Sequence, residues 1–173
     1  MKQLILVRHA KSSWDDLSAR DFDRDLNDRG RGDASDMGAR LAKRRGFKPD
    51  AFLISSSQRT RSTAYLMADQ FNFAHADIEL KDELYLASPS TMLKVIRQTP
   101  DHVQQLIILA HNPGITELTN RLARTYINNV PTCGLAILEM DISSWHEVGS
   151  RALLLDFDYP KRLLVEDALQ QQP

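Results

Sequence analysis

The chain is predicted to fold as a three-layer α/β/α domain around a mostly parallel central sheet, with an antiparallel pair of strands near the C-terminus. Three observations predict this. Short apolar runs at residues 4–7, 51–55 and 106–110 are bounded by polar residues, the pattern of strands buried on both faces of a sheet. Segments with apolar residues at helical spacing lie between them, and strands alternating with helices imply a parallel sheet covered on both faces. Two later runs, 134–140 and 152–157, are separated by residues 141–151 and read as an antiparallel pair extending one edge.

In the first strand, Leu4-Ile5-Leu6-Val7 runs straight into Arg8-His9-Ala10. The polar pair falls where the strand ends, the edge at which open α/β sheets bind ligands. A polar loop follows over residues 11–27, holding Asp15, Asp16, Arg20, Asp21, Asp23, Arg24 and Asp25. Most of these charges read as solvated surface, although a loop this long in a compact domain often borders a site. Trp14 reads as an anchor for it. Asn27 caps a helix predicted over residues 28–45, with Ala34, Met37 and Leu41 on its inner face. Lys43, Arg44 and Arg45 are placed in its last turn, where cations favour the dipole, and Gly46 terminates it.

Residues 51–55 form the second strand, and Ser56 or Ser57 caps a helix over residues 58–71 with Ala64, Met67, Ala68 and Phe71 inward. Residues 78–80 alternate as a short strand, and a loop over 82–86 leads to Ser88-Pro89, an N-cap and first-turn pair for a helix near 90–98. The third buried strand, 106–110, is followed by His111-Asn112-Pro113-Gly114. Asn112 as cap and Pro113 as first residue start a helix reaching about Arg124.

The length of 173 residues favours one domain, placed at residues 1–166, with a polar tail at 167–173 that is expected to fray. A net charge of -1 gives no broad attraction to nucleic acid. The single cysteine, Cys133, excludes an internal disulfide framework, argues against a structural zinc site and suits a reducing, cytoplasmic setting. It reads as a small core or turn residue. His75, His102 and His146 lie in polar contexts and read as surface residues. The apolar run before Arg8 is too short for a secretory signal, and no stretch is long enough to cross a bilayer, so no membrane partner is expected.

The chemistry converges at three strand-to-helix junctions. The first strand ends in Arg8-His9, the second is followed by Ser55-Ser56-Ser57-Gln58-Arg59-Thr60, and the third ends in His111. Parallel strands put all three junctions on one rim, where two helix N-termini add exposed N–H groups. So many positive groups require an anion, and a phosphate-like tetrahedral dianion supplies it. Each piece alone has a plainer account: a lone arginine in a first helical turn is usually a surface residue, and a lone histidine after a strand is usually structural.

At this point the chain resembles a known family. Leu6-Val7-Arg8-His9-Ala10 resembles the Arg-His-Gly signature of the histidine phosphatase (phosphoglycerate mutase-like) superfamily. Ser56-Ser57-Gln58-Arg59-Thr60 with Thr63 is similar to its second-arginine motif, and His111-Asn112-Pro113-Gly114 to its second-histidine motif. The run from Asp23 to Gly30 is similar to the stretch before the family's first helix. The short length and the Arg-His-Ala-Lys-Ser start most resemble the SixA-type phosphohistidine phosphatase branch. The resemblance implies a phosphoglycerate mutase-like fold, His9 as the nucleophile that becomes phosphorylated, and Arg8, Arg59 and His111 as phosphoryl-binding and transition-state-stabilising groups. It implies no metal and no cofactor, the arginines taking a metal's electrostatic place. For His9 to attack, its other ring nitrogen should donate to a carbonyl or similar acceptor.

Two departures stand out. Ala10 replaces the usual glycine, and the glutamate that many members use as general acid has no clear counterpart. Asp82 and Glu83 lie in the right region and are the candidates for proton donor. Ser12 and Asp15, close behind the signature, are candidates to line the pocket. An imidazole leaving from phosphohistidine is far less basic than an alkoxide, so a weak acid suits a P–N substrate. Between Tyr85 and Gln105 there is room for one short helix and no lid, which predicts a shallow pocket suited to a phosphorylated protein, a histidine-containing phosphotransfer protein being one such partner. The loop over residues 11–25 is a possible partial lid. Two alternatives stay open: a phosphatase or mutase for a small phosphorylated metabolite, and a binding module that reads phosphate without turning it over.

Overall fold

The computed structural model describes residues 1–162, so the expected domain boundary at 166 and the tail at 167–173 lie outside the described residues. The four apolar residues inside the chain's first strand, β1 (Lys2–Arg8), alternate between two cores. Leu4 and Leu6 enter one cluster with Met92, Ile96, Ile115, Leu118 and Trp145, while Ile5 and Val7 enter another with Met37, Leu41, Ala64 and Met67. A strand covered on both faces has no polar face to keep, which is why the run reads as continuously apolar.

The remaining elements are α1 (Asp28–Ala42), β2 (Ala51–Ile54), α2 (Gln58–Gln70), β3 (Ile78–Leu80), α3 (Pro89–Arg97), β4 (Gln105–Ala110), α4 (Gly114–Ala123), β5 (Leu135–Met140) and β6 (Leu153–Asp158). The sheet order is β3-β2-β4-β1-β5-β6. Strands β3, β2, β4 and β1 are parallel, whereas β5 pairs antiparallel with both β1 and β6. Helices α1 and α2 contribute to one core cluster and α3 and α4 to the other, giving the expected three-layer α/β/α arrangement, with the antiparallel pair at the C-terminal edge.

Most boundaries fall within a residue of expectation, and two starts or ends have a clear physical cause. Helix α1 stops at Ala42, because the Arg44 N–H turns back to Leu41 O at 3.0 Å and tightens the chain into a turn; Lys43, Arg44 and Arg45 therefore lie past its last turn. Helix α4 begins at Gly114, with Pro113 in the cap position. Asn112 still supplies the accepting oxygen, to the Thr116 N–H at 3.2 Å and the Thr116 hydroxyl at 2.9 Å. The loop over residues 11–27 contains a short 3-10 turn, Asp21–Asp23, and a second such turn, Asp82–Leu84, interrupts the loop after β3. No helix among the described residues is long and apolar enough to cross a membrane.

The α1–α2 pair packs closely at Gly38, where a Cβ would stand 2.8 Å from Met67 Cα and 2.9 Å from Met67 O. Backbone cannot withdraw as a flexible side chain can. Gly38→Ala is expected to lower the unfolding free energy by about 1–3 kcal/mol in urea titrations despite alanine's better helix propensity; an unchanged or higher midpoint would contradict this packing.

Candidate active site

Register places the two histidines. In the β1–β4 ladder Arg8 lies opposite Ala110, so the next residues, His9 and His111, leave neighbouring strands at the same rim. Helix α1 follows β1 onto one face and α4 follows β4 onto the other, so the chain departs in opposite directions here and opens a crevice. The two imidazole centroids are 5.2 Å apart. Arg59, the second residue of α2, comes from β2 on the far side of β4, and its Nη2 lies 3.4 Å from His111 Nδ1. Thr63 ties that helix to the signature: its hydroxyl accepts from the Ala10 N–H at 3.0 Å and donates to Arg59 O at 2.7 Å. Arg8 is half-buried and donates to Val130 O at 3.0 Å. The structure thus brings together Arg8, His9, Arg59 and His111.

Protonation follows from the partners. His9 Nδ1 lies 2.7 Å from Ala10 O, and a carbonyl can only accept, so Nδ1 carries the proton and Nε2 keeps its lone pair. Burial first, then the charges of Arg59, Arg8 and Arg24, hold His9 down at about 4 despite the bond to Ala10, so the ring is neutral. His111 Nε2 lies 2.8 Å from the buried Ser55 hydroxyl, and its Nδ1 faces the donor-only guanidinium of Arg59. Burial, His9 and Arg59 push it down to about 3. Both imidazoles are therefore neutral beside at least three guanidiniums.

The third guanidinium is Arg24, which differs from the expectation of a solvated loop charge. It is buried, stacks 3.6 Å from the Trp14 ring and donates to Asp21 Oδ1 at 3.3 Å. Trp14 thereby anchors the loop. Asp21, also read as surface, receives Arg59 Nη2 at 3.0 Å and the Tyr85 hydroxyl, and Tyr85 sets its ring edge against His111 at 5.4 Å. Burial alone would raise Asp21, but the bonds from Tyr85 and Arg59 and the charges of Arg59 and Arg24 outweigh it and bring it to about 2. The loop therefore folds partly over the cluster, which is less open than the absence of a lid insertion suggests. The only sequence signal for Arg24 was its place in the run from Asp23 to Gly30.

The remaining candidates are placed as follows. Ser12 pairs with Leu26 in an isolated bridge, and Asp15 is exposed with its N–H on Ser13 Oγ; among the described residues neither side chain bonds to the cluster. Asp82 and Glu83 are both exposed, and Asp82 accepts from Ser56 Oγ at 2.5 Å. From that segment it is Tyr85 that touches His111. Cys133 is buried behind His9, its N–H on His9 O at 2.9 Å, and burial raises its thiol far above the ordinary range. His75, His102 and His146 are exposed. Among the described residues no group of three or more His, Cys, Asp or Glu side chains is placed to hold a metal ion.

Comparison with known proteins bears on this arrangement. Residues 4–85 match the family described as the histidine phosphatase superfamily (branch 1). An uncharacterised chloroplastic protein of Arabidopsis thaliana is 33% identical over 159 residues, covering 84% of this chain and 70% of that one. An uncharacterised protein of Mycobacterium tuberculosis is 31% identical over 172 residues, covering 90% of this chain and all of its own length. Among solved structures, one from Agrobacterium tumefaciens described as a phosphohistidine phosphatase SixA is 32% identical, with a TM-score of 0.78 over 92% of this chain and 98% of that one. A protein histidine phosphatase SixA complexed with tungstate, 19% identical, shares the fold at a TM-score of 0.79 over 93% of this chain and 99% of that one. A mycobacterial glucosyl-3-phosphoglycerate phosphatase, 13% identical, shares it at 0.66 over 91% and 99%.

The depressed histidines contribute to the acid dependence of stability. In the unfolded chain each protonates near about 6.5, but in the folded protein His9 stays neutral to about 4 and His111 to about 3. Between those values the unfolded state binds more protons, so folding stability is present in full above about 6.5 and is lost as pH falls through the window. Urea titrations across pH 7 to 4 are expected to show this fall, and His9→Gln is expected to flatten it. A slope unchanged in His9→Gln would contradict the neutral, buried state of His9.

Proposed function

Because the chain belongs to the histidine phosphatase superfamily, in its SixA-type branch, we propose that it is a metal-independent phosphatase that works through a phosphohistidine formed on His9 and acts on phosphohistidine carried by a protein, a histidine-containing phosphotransfer protein being the first to try. The observation that carries this reading is the free Nε2 lone pair of a neutral imidazole held among guanidiniums, its Nδ1–H fixed on Ala10 O at 2.7 Å.

Nε2 attacks phosphorus in line with the leaving group. The new N–P bond forms as the old bond breaks, and the electron pair leaves with the departing nitrogen or oxygen. Arg8 and Arg59 neutralise the phosphoryl oxygens, and their charges disfavour a premature proton on His9. A dianion entering between Arg59 and His111 raises the basicity of His111, which can then hold a proton on Nδ1 against a phosphoryl oxygen. Water hydrolyses the phosphohistidine in a second step and releases phosphate. Ser12 and Asp15 remain proposed phosphate-pocket residues, with neither side chain bonded to the four central residues. Of the two proposed proton donors, Asp82 is favoured over Glu83, because the Ser56 hydroxyl that it accepts from lies three residues before Arg59. An imidazole leaving group makes little demand on that acid.

A second reading, a phosphatase for a small phosphorylated metabolite, has one observation in its favour: the loop carrying Asp21 reaches over the cluster and narrows it. A panel of phosphohistidine protein, sugar phosphates and phosphoglycerates separates the two by kcat/KM.

Trapping with labelled substrate is expected to give wild-type enzyme an alkali-stable, acid-labile label that is absent from His9→Ala; a label that survives acid, or that still forms in His9→Ala, would rule the mechanism out. Arg59→Ala is expected to lose about 10²–10³ in kcat/KM, as removal of one transition-state donor does. Excess chelator should leave wild-type activity unchanged, and its abolition would contradict metal independence.

A further inference from the structure

We propose that Asp21 is a positioning residue for this reaction that also trims the charge of the cradle: it fixes the outer end of Arg59 and cancels one of three guanidinium charges, leaving a site matched to a phosphoryl dianion and able to release phosphate. The inference rests on the phosphatase reading above and deepens it.

The geometry is that of a clamp. Asp21 O accepts from Arg59 Nη1 at 2.6 Å and Asp21 Oδ2 from Arg59 Nη2 at 3.0 Å, so one residue takes both terminal nitrogens of the guanidinium. The same Oδ2 receives the Tyr85 hydroxyl, and Oδ1 receives Arg24 Nη2 at 3.3 Å. Three distant stretches of chain are thus joined at one carboxylate: the loop, the first turn of α2 and the segment after β3. Aromatic contacts support the clamp from outside, with Phe22 edge-on to Tyr85 at 5.1 Å and Trp14 stacked on Arg24. The Arg59 side chain is only 4% exposed, against 48% for Asp21, so the carboxylate sits at the rim with cations on one side and water on the other. A guanidinium held at both terminal nitrogens has little freedom to rotate. The Nε atoms of Arg8, Arg24 and Arg59 are buried without a protein partner, as is that of Arg61.

The charge follows. With both imidazoles neutral, Arg8, Arg24 and Arg59 carry three positive charges, and Asp21, held ionised by the bonds that it accepts, removes one. Two remain, the number that a phosphoryl dianion neutralises. Without Asp21 the excess would hold product phosphate more tightly than turnover tolerates. At a few ångströms, one unit charge near a protein surface changes the binding of an anion by about tenfold or more.

The test uses the full-length enzyme and inorganic phosphate. Its dissociation constant is measured by calorimetry beside kcat and KM for the wild type, Asp21→Asn, Asp21→Glu and Tyr85→Phe, with circular dichroism confirming the fold of each. Asp21→Asn is expected to bind phosphate about tenfold more tightly, with kcat lowered about tenfold or more and KM lowered too. Asp21→Glu restores the charge, and Tyr85→Phe removes a donor without touching it. Both are expected to bind phosphate within about twofold of wild type while kcat falls. Wild-type or weaker phosphate binding by a folded Asp21→Asn would overturn the inference alone. Failure of the wild type itself to bind phosphate would overturn the phosphatase reading and the inference with it.

Discussion

Guanidiniums crowded at one end of a sheet and held largely out of water repel each other, and the surrounding structure relieves that repulsion and leaves a remainder. Burial and the neighbouring charges keep His9 and His111 neutral, so neither adds to the excess. Asp21 subtracts one charge. What is left is an unmet demand for an anion, concentrated where a neutral imidazole offers its lone pair. Electrostatic preorganisation of this kind needs no reorganisation at the moment of reaction, because the repulsion was accepted when the chain folded.

The fold is what imposes the crowding. Strands β1 and β4 are neighbours in parallel register, and their successor helices leave to opposite faces, so Arg8, His9 and His111 have no other place to go. Two apolar clusters on either side of the sheet hold that rim in position, and the close approach of α1 to α2 at Gly38 belongs to the same support.

The fold class and the convergence of the four central residues were legible in the sequence because both rest on local pattern: apolar runs mark the buried strands, and parallel topology then dictates that their ends share a rim. The carbonyl partner of His9 was equally readable, since a nucleophilic imidazole must place its other proton somewhere. The contacts without a local signature are tertiary. Arg24, Asp21 and Tyr85 carry no periodic signal, and a charged loop looks the same in sequence whether it is solvated or folded back over a site. Arg24 is buried only because Trp14 stacks on it and Asp21 meets it, contacts that no local rule forecasts. The end of α1 was misplaced for a milder reason: three consecutive cations fit a last turn as well as they fit the turn beyond it.

The most direct measurement is a crystal structure of the protein soaked with tungstate or vanadate. The account predicts one oxyanion in the crevice between β1 and β4, its central atom facing His9 Nε2 and its oxygens within hydrogen-bond distance of Arg8, Arg59 and His111. An oxyanion bound elsewhere, or one in the crevice that leaves His9 Nε2 turned away from it, would contradict the account at its root.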